Sequence, residues 1–207
     1  MLRYIYGREL HAYPKLRQSM FRDRAIQFSE RLGWNVKVDS DGLEQDAYDA
    51  LNPLYVIWPN DDGSHGGSMR FLPTVGRTML NDHFLHLLGG EAVKSPLIWE
   101  CTRFCLMPGA GSDVTDALVL GAGEVMEHFH LMNFVGVYDA RMERVYRRIG
   151  LRPDVIGSDD GTLRVGLWQM NSAKWPAILE RVGIDRATSK QWLRQAFRTG
   201  HLPRVSA

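Results

Sequence analysis

Residues 97–106 read LIWECTRFCL, and this segment decides the fold class. Its aromatic and branched residues predict a β-strand. The turn PGAG at residues 108–111 follows directly, and Ser112 or Asp113 can then cap a helix that we expect to extend to about Met132. A strand followed by a tight turn and an amphipathic helix is typical of a mixed α/β domain.

The rest of the chain alternates apolar segments of strand and helix length, separated by turn residues. The sequence NDDGSHGG at residues 60–67 predicts a hairpin between the two strands that flank it. Neither a repeat nor a low-complexity linker divides the chain, so we predict one domain over residues 1–207. We expect strands near residues 1–10, 54–58, 68–72, 134–138 and 163–170, helices near residues 13–32, 82–88, 141–149, 173–182 and 189–199, a loop at 73–80 and a loose tail at 201–207.

The composition is that of an ordinary globular protein, with 44% hydrophobic and 24% charged residues. A formal net charge of +1 argues against a dedicated nucleic-acid binder. No apolar run approaches the length of a membrane-spanning helix, so we expect no membrane partner. The N-terminus MLRYIYGREL lacks the apolar segment of a secretory signal, which predicts a cytoplasmic localisation.

The two cysteines, Cys101 and Cys105, lie four residues apart in the predicted strand. That spacing separates them by roughly 13 Å, which is too far for a disulfide. With no set of ligands near them they predict no zinc site, and we interpret them as reduced, buried apolar residues.

Residues 20–49, MFRDRAIQFSERLGWNVKVDSDGLEQDAYD, place a charge where a core residue is expected. Arg24 lies four residues from both Met20 and Phe28, on the apolar stripe of a helix. A guanidinium in that position needs a partner, because burying a bare charge is costly. A cluster of carboxylates follows, so one interpretation is a pocket for a small zwitterionic or cationic ligand. An ordinary helix followed by a solvated acidic loop is the alternative.

Glu100 and Arg103 are charged residues within the apolar strand at residues 97–106. Charges in a central strand are costly unless they are paired, and such places are often functional. Strict alternation would direct the two side chains to opposite faces of the sheet. If they share a pocket, we predict a β-bulge between them.

Two further patterns have ordinary alternatives. The PGAG turn at residues 108–111 can hold a phosphate on its backbone amides, although glycines also serve any strand-to-helix turn. The last two predicted helices resemble a helix-turn-helix, but we interpret Trp192, Leu193 and Phe197 as packing residues rather than base readers.

Four arginines recur at helical spacing between residues 141 and 152 and form a basic stripe. Val145 and Ile149 make the opposite side of that helix apolar. The stripe can receive an acidic partner, or it can be a merely solvated face. It consists of Arg141, Arg144, Arg148 and Arg152.

Taken together, these residues resemble the acyl-homoserine-lactone synthases, the LuxI-type autoinducer synthases of bacterial quorum sensing. All of the family's signature positions are filled, in order and with nearly the family's spacing, across residues 20–105. Residues 106–207 resemble the family more loosely. The signature positions are Arg24, Phe28, Trp34, Asp46, Asp49, Arg70, Glu100 and Arg103.

The resemblance implies an acyltransferase with a single-domain αβα sandwich and a mixed central sheet, related to the GNAT N-acyltransferases. It implies that the amine of S-adenosylmethionine (SAM) attacks the thioester of an acyl-acyl carrier protein. The SAM carboxylate then displaces the sulfonium, which closes the lactone and releases methylthioadenosine. SAM is thus a cosubstrate, no prosthetic group is expected, and acyl-CoA replaces the carrier protein in some family members.

The same resemblance implies a role for each signature residue. Glu100 is expected to act as the base, directly or through a water, and Arg70 to tie the acidic loop to the sheet. Arg24 and Arg103 are expected to meet the SAM carboxylate. Catalytic residues are expected at Glu100, Arg103, Asp46 and Asp49, and SAM-binding residues at Arg24, Phe28, Trp34, Asp46, Arg103 and Phe104.

Residues 106–207 are expected to hold the acyl chain and the carrier protein. Because the carrier protein is acidic, it would dock on the basic stripe. The acyl pocket is expected at Met126, Phe129, Gly136 and Tyr138. Gly136 stands where family members that favour 3-oxo chains tend to carry a threonine, and a glycine offers no hydroxyl and leaves space. We therefore expect unsubstituted or 3-hydroxy chains of medium to long length.

Two alternatives remain open at this stage. The nearest is another GNAT-like N-acyltransferase that uses acyl-CoA and a different small amine, and it would form no methylthioadenosine. The other is a binding or regulatory module that contacts DNA through the last two helices. The near-neutral charge and the charged residues in a core strand argue against it.

Overall fold

Seven strands in the described part of the chain make one mixed sheet. This computed structural model describes residues 1–159, 161–170 and 175–198. The strands are β1 (Arg3–Tyr6), β2 (Leu54–Pro59), β3 (His65–Pro73), β4 (Ile98–Leu106), β5 (Asn133–Asp139), β6 (Asp154–Ser158) and β7 (Leu163–Trp168). They lie in the order β1-β2-β3-β4-β5-β7-β6. β4 and β5 are parallel, and the other neighbouring strands are antiparallel.

Three of the six α-helices in the described residues connect strands that are neighbours in the sheet. Within the described residues, none is long and apolar enough to cross a membrane. They are α1 (Pro14–Arg24), which continues as a π-helical segment at Ala25–Arg31, α2 (Met79–His83), α3 (Ser112–His128), α4 (Glu143–Arg148), α5 (Trp175–Val182) and α6 (Arg186–Arg198). Short 3₁₀ turns lie at Gly7–Ala12, Asp49–Leu51, Leu85–Leu88 and Ala140–Met142.

Alternation along β2 separates the two faces of the sheet. Tyr55 and Ile57 pack with α1, whereas Leu54 and Val56 pack with α3. α5 and α6 in turn pack against α3. The result is three layers, with α1 and α2 on one face and α3 with the last two helices on the other, as the predicted αβα sandwich requires.

A glycine in β3 allows α3 to approach the sheet closely. A Cβ atom on Gly67 would lie 2.7 Å from Cγ1 of Val114 and 3.0 Å from Cδ1 of Leu118, both on α3. Leu118 is fully buried as a result, in the core between α3 and the sheet. Because α3 lies this close to the sheet, its apolar side is removed from water, which stabilises the fold.

Most predicted elements are present, including the hairpin of β2 and β3. Three differ. α3 ends at His128 rather than near Met132, the predicted loop at 73–80 contains the start of α2, and the strand β6 was not predicted. β6 is an edge strand with three exposed residues in succession, so it lacks the alternation of a half-buried strand. The predicted tail at 201–207 and residues 173–174 and 199 of the predicted helices lie outside the described residues.

Candidate active site

Six charged side chains form a closed ring, here called the charged ring, between α1, the acidic loop and strands β3 and β4. Each arginine bridges two carboxylates, and each carboxylate bridges two arginines, so the formal charges cancel. In order around the ring, its members are Arg24, Glu44, Arg103, Asp46, Arg70 and Asp49.

Arg24 lies at the end of α1 and is fully buried. Its Nε donates to Glu44 at 2.6 Å, and its Nη1 and Nη2 donate to the two oxygens of Asp49 at 2.9 and 3.0 Å. All three nitrogens are therefore engaged by carboxylates of the protein. This corrects the expectation that Arg24 is a partner for a substrate carboxylate. The charge on the apolar stripe is neutralised within the fold.

Arg70 lies on β3 and is also fully buried. Its Nη1 and Nη2 donate to Asp46 at 2.5 and 2.9 Å, and Nη1 also donates to Asp49 at 2.8 Å. Its Nε donates to the Thr102 hydroxyl on β4 at 3.0 Å. These bonds fasten the acidic loop to two neighbouring strands of the sheet.

Arg103 reaches the charged ring because β4 carries a bulge. The pairing of β3 with β4 shifts by one residue between Ser68 and Arg70, so that β4 holds an extra residue there. Arg103 has a φ of +52°, in the left-handed region that few residues adopt. It therefore points to the same face as Thr102 and Glu100, which strict alternation would forbid. The predicted break in the ladder is confirmed, and Arg103 itself is part of it.

Arg103 and Asp46 are the most exposed members of the ring, at 9% and 18% of their side-chain surface. Nη2 of Arg103 lies 2.8 Å from Asp46 and donates to Glu44 at 2.9 Å. Its Nη1 meets the sulfur of Met79 at 3.9 Å. A thioether is a weak acceptor, so Nη1 keeps the capacity to donate to a stronger one.

The buried members of the ring stabilise one another's charged forms. Burial alone would raise the pKa of Asp49, but Arg24 and Arg70 hold it well below its usual range. The hydroxyl of Tyr55 donates to the same carboxylate at 2.5 Å. Removing one partner of a buried pair leaves a bare charge and typically costs about 3–5 kcal/mol.

Glu100 lies beside the ring, on β4, with 1% of its surface exposed. Its two oxygens accept hydrogen bonds from the backbone N–H groups of Met79 and Leu80, at 3.0 and 2.6 Å, in the first turn of α2. Burial raises the pKa of Glu100 above its usual range, and these two amides oppose the shift only in part. A carboxyl group with a raised pKa beside a site with an exposed edge is suited to proton transfer near neutral pH.

Two aromatic residues form a wall next to Arg103. The rings of Phe28 and Trp34 are stacked with centroids 5.2 Å apart and planes 13° from parallel. The guanidinium carbon of Arg103 lies 5.2 Å from the Phe28 ring, and Trp34 is 40% exposed. Phe28 belongs to the π-helical segment, and its carbonyl accepts a bond from the Trp34 N–H at 2.8 Å. The exposed indole thus extends the site towards solvent.

Phe104 does not join this wall. It packs with the core on the α3 face, on the opposite side of the sheet from the charged ring. The bulge explains the difference, since alternation resumes after Arg103 and directs the next side chain to the other face. The expectation that Phe104 contacts SAM is therefore wrong in this arrangement.

Of the expected acyl-pocket residues, Met126 and Phe129 lie together at the end of α3. Met126 is 5% exposed, and the Phe129 ring is 4.6 Å from that of Trp99 on β4. Both pack against the core cluster that includes Phe134 of β5. This places them between the sheet and the last helix.

Gly136 and Tyr138 lie further along β5. A Cβ atom on Gly136 would be 2.7 Å from the backbone oxygen of Cys101, so the expectation that this glycine leaves space for a substrate is wrong. Tyr138 packs in a group of three rings, 5.3 Å from Tyr146 and 5.5 Å from Trp168. The parallel strands β4 and β5 are thus in contact at Gly136, and aromatic rings occupy the space beyond it.

The basic stripe lies on and around α4 and is exposed. Arg141 forms an ion pair with Asp139 at 2.6 Å, at the start of the 3₁₀ turn that precedes the helix. Arg144 and Arg148 extend into solvent from α4 itself, and Arg152 from the segment after it. The arginines are thus available to a partner, with Arg141 already neutralised in part.

Two charged or polar groups of the site region were not predicted. Glu44 is fully buried as the shared partner of Arg24 and Arg103, whereas Asp39 and Asp41 in the same acidic loop are exposed. The one available signal is that Glu44 follows the turn at Gly42, which directs the chain back towards α1. The backbone N–H of Glu44 donates to the carbonyl oxygen of Phe21 in α1 at 3.0 Å, which brings Glu44 inwards.

The second is His65, which connects α1 to β3 beneath the ring. Its Nδ1 is 2.7 Å from Asp23 and its Nε2 is 2.9 Å from the Ser68 hydroxyl. Burial lowers the pKa of His65, although Asp23 opposes this. With Ser68 and His65 both 1% exposed, the group is a buried connection rather than a reactive centre.

Comparison with known proteins identifies the family of this chain. The profile of the autoinducer synthase family matches residues 9–165, and the chain belongs to that family. It is an acyltransferase of the acyl-homoserine-lactone synthase class, which makes signals for quorum sensing. A relative from Rhizobium etli, named acyl-homoserine-lactone synthase, is 41% identical over 182 residues, covering 83% of this chain and 85% of the relative.

Solved structures of such synthases share the fold. The synthase LasI has a TM-score of 0.75 at 30% identity, covering 90% of this chain and 98% of its own. TofI, in a ternary complex with an inhibitor and MTA, has a TM-score of 0.65 at 29% identity, covering 83% and 91%. BjaI, a CoA-dependent synthase with SAM and isopentyl-CoA, has a TM-score of 0.78 at 19% identity, covering 89% and 90%. The predicted αβα fold of the GNAT type is confirmed.

Proposed function

We propose that this chain joins an acyl group to the amine of SAM and closes the product to an acyl-homoserine lactone, with release of methylthioadenosine. One observation carries the proposal: the exposed edge of the charged ring, Arg103 and Asp46, lies on the same face of the sheet as the buried carboxyl group of Glu100, whose pKa is raised. The TofI complex holds MTA and the BjaI complex holds SAM, which supports SAM as the cosubstrate.

SAM is a zwitterion with an added sulfonium, and the exposed edge offers a partner for each of its charges. Its carboxylate binds Arg103, whose Nη1 meets only a thioether among the described residues. Its ammonium group binds Asp46, the most exposed carboxylate of the ring. The stacked rings of Phe28 and Trp34 receive the sulfonium or the adenosine, because ring faces attract cations. Arg24, Arg70, Glu44 and Asp49 brace these groups from beneath.

Glu100 is the base of the first step in this proposal. The SAM amine must lose a proton as it attacks the thioester carbonyl, and Glu100 takes it directly or through a water. The carbon–nitrogen bond forms as the thiol of the donor departs with a proton. Each oxygen of Glu100 accepts one backbone hydrogen bond and has a second lone pair for this purpose. The amides of Met79 and Leu80 keep the carboxyl group in a single orientation.

Lactone closure needs no second base. The carboxylate oxygen of the acylated SAM attacks its own γ-carbon and displaces the sulfonium, so one carbon–oxygen bond forms as the carbon–sulfur bond breaks. Because the reaction is intramolecular and the leaving group is neutral once released, positioning supplies most of the acceleration. Arg103 would hold the attacking carboxylate during this step.

The acyl donor is an acyl-acyl carrier protein in this proposal. The exposed arginines at 144, 148 and 152 support it, since a carrier protein is acidic. Acyl-CoA is the other donor to test. A cleft of about 190 Å³ lies between Arg31 of the π-helical segment and the turn that leads into α3, lined by Met107 and Ala110, and it is suited to a pantetheine arm from either donor. BjaI uses acyl-CoA with the same fold.

The deciding experiment gives the purified protein SAM with an octanoyl group on carrier protein or on CoA. The proposal predicts equal amounts of octanoyl-homoserine lactone and methylthioadenosine by mass spectrometry, with the carrier protein as the faster donor. Acyl transfer to a different amine without methylthioadenosine would instead identify another N-acyltransferase. A series of unsubstituted, 3-hydroxy and 3-oxo donors then tests the expected preference for the first two.

A further inference from the structure

The helix α2 is so short that contacts with the rest of the protein must set its position. It has five residues, and an isolated helix of that length is unstable in water. Leu80 is fully buried in the core. Asn81 exchanges two hydrogen bonds with the backbone of Val93, at 2.8 and 3.0 Å. Asp82, the next residue, extends to the acidic loop instead.

Tyr48 connects α2 to the charged ring. Its hydroxyl donates to Oδ2 of Asp82 at 2.9 Å, and its backbone N–H donates to Oδ1 of Asp46 at 2.9 Å. Tyr48 is 4% exposed, and its ring lies 5.7 Å from the guanidinium carbon of Arg70. One buried residue therefore contacts both a carboxylate and an arginine of the ring, and at the same time the helix beside it.

The charges around the Tyr48 hydroxyl favour this direction of donation. Nη2 of Arg77 lies 2.7 Å from the same Asp82 oxygen and holds the pKa of Asp82 below its usual range. Burial and the hydrogen bond to Asp82 raise the pKa of Tyr48. The phenol thus keeps its proton near neutral pH and donates to a charged acceptor, which makes the bond stronger than one between neutral groups.

α2 contacts the expected base and the exposed edge of the charged ring. The backbone N–H groups of Met79 and Leu80 hold the two oxygens of Glu100, and the Met79 sulfur lies 3.9 Å from Nη1 of Arg103. A displacement of α2 therefore moves Glu100 relative to the edge where Asp46 lies. A displacement of about 1 Å can reduce a rate by roughly two orders of magnitude.

We propose that Tyr48 and Asp82 are positioning residues whose hydrogen bond fixes the place of Glu100 relative to Asp46. This rests on the proposed function, because it takes Glu100 as the base and Asp46 as the partner of the SAM amine. Neither positioning residue meets the reacting atoms. Their bond keeps α2 against the acidic loop, and α2 in turn keeps Glu100 in place.

The pH dependence of the rate reports on this connection. Burial raises the pKa of Glu100, the two amides of α2 and Arg70 of β3 oppose the rise, and Asp46 adds to it. Tyr48 and Cys101 are the other titratable groups that face Glu100. If α2 moves away, its amides stabilise the ionised carboxylate less, so the pKa of Glu100 rises further. The rate should then rise with pH at a higher value than in the wild type.

The test is Tyr48→Phe in the full-length protein, with SAM and the acyl donor that the wild type accepts. The substitution removes the hydroxyl but keeps the ring and the backbone N–H that holds Asp46. We expect kcat near neutral pH to fall about tenfold and the KM for SAM to stay within about twofold. The midpoint of the pH profile of kcat should move upwards by about half a pH unit or more.

Asp82→Ala breaks the same bond from its acceptor and should give the same pattern. The double variant should be no slower than Asp82→Ala alone, because one bond can be lost only once. Asp82 is partly exposed, so this variant keeps the test decisive if thermal melts show that Tyr48→Phe is not folded.

The matched control is Tyr4→Phe. Tyr4 is also 4% exposed, but it packs on the α3 face of the sheet, and its hydroxyl has no hydrogen-bond partner among the described residues. The control should keep the wild-type kcat and pH profile. An equal shift of the midpoint in Tyr4→Phe would overturn the proposal, because loss of any buried hydroxyl would then have the same effect.

The remaining outcomes separate this inference from the function on which it rests. A wild-type kcat and midpoint in folded Tyr48→Phe, while Glu100→Gln is slow, would overturn the positioning role alone. Effects that add in the double variant would do the same, since Tyr48 and Asp82 would then act independently. Full turnover by Glu100→Gln would overturn Glu100 as the base and this inference with it. A wild type that makes no lactone from any donor would overturn the proposed function.

Discussion

Arg103 and Asp46 meet at 2.8 Å at the exposed edge of a ring of six charges in which Arg24, Arg70 and Glu44 are wholly buried. The contact depends on a left-handed residue in the middle of a strand, since Arg103 faces the ring only because β4 bulges there. The fold thus keeps one arginine and one carboxylate within reach of solvent while the rest of the ring holds them in place. A ligand with both a carboxylate and an ammonium group can replace this contact with two of its own.

Substitution by lysine should therefore have different effects at Arg103, on the exposed edge of the ring, and at Arg24, in its buried part. Arg103→Lys keeps the charge but loses the planar fork, so it should raise the KM for SAM by roughly tenfold with little loss of stability. Arg24→Lys is made where every nitrogen is paired and buried, and should lower the free energy of unfolding by about 3 kcal/mol or more. Urea denaturation and steady-state kinetics on both variants measure the two effects. If both variants lost the same free energy of unfolding, Arg103 would be a structural member of the ring rather than a residue that binds SAM.

Glu100→Gln should lower the rate of acyl transfer by about 10² to 10⁴ while SAM still binds. The amide keeps one acceptor oxygen for the α2 backbone but cannot take a proton. Because burial raises the pKa of Glu100, the wild-type rate should rise with pH through a value above the ordinary range of glutamate, as the carboxyl group loses its proton. The rate of Glu100→Gln should not show this rise with pH.

Glu124→Gln is the control for that experiment. Glu124 is also 1% exposed and has a pKa raised by burial, but it lies on α3 and accepts from Ser189. It should retain the wild-type rate and pH profile. Turnover of Glu100→Gln that equals that of the wild type would remove Glu100 as the base.

Trp34→Ala should weaken SAM binding by several-fold and change stability by less than about 1 kcal/mol, because the indole is 40% exposed and its stacking is local. Trp34→Phe should restore most of the affinity. Tyr13→Ala removes another exposed aromatic ring, 37% exposed and in contact with Arg3, and should leave binding unaltered. Calorimetric titration with SAM gives the dissociation constants. If Trp34→Ala and Tyr13→Ala weakened SAM binding equally, the loss would come from a general change in the protein rather than from a contact between Trp34 and SAM.

Reversal of Arg144 and Arg148 to glutamate should raise the KM for an acyl-acyl carrier protein by tenfold or more and leave the KM for SAM unchanged. The effect should diminish at high salt, because the arginines are exposed. The matched variant reverses Arg8 and Arg22, two exposed arginines elsewhere, and so makes the same change in net charge. If both double variants behave alike with the carrier protein, the docking surface lies elsewhere.

Local patterns in the chain were sufficient for a mixed α/β domain and for the unusual charges at Arg24, Glu100 and Arg103, whereas the αβα sandwich and the other site residues were expected from the resemblance to the autoinducer synthases. Turn residues predicted the hairpin, aromatic and branched residues predicted β4, and helical spacing predicted α3. A charge on an apolar stripe marked Arg24 as a residue that needs a partner. The same reasoning predicted the bulge, because two charges in one strand can share a face only if the ladder is broken. These inferences succeed because periodicity and the cost of a buried charge are properties of neighbouring residues.

The partners themselves could not be predicted, since they are brought together by tertiary contacts. Glu44 and Arg103 are 59 residues apart, and only the return of the acidic loop to α1 distinguishes Glu44 from its exposed neighbours. The space expected at Gly136 is filled by the backbone of Cys101, and Phe197 meets Phe129 from the last helix. Side-chain pairing across such separations depends on how the layers pack against one another, which no local pattern encodes.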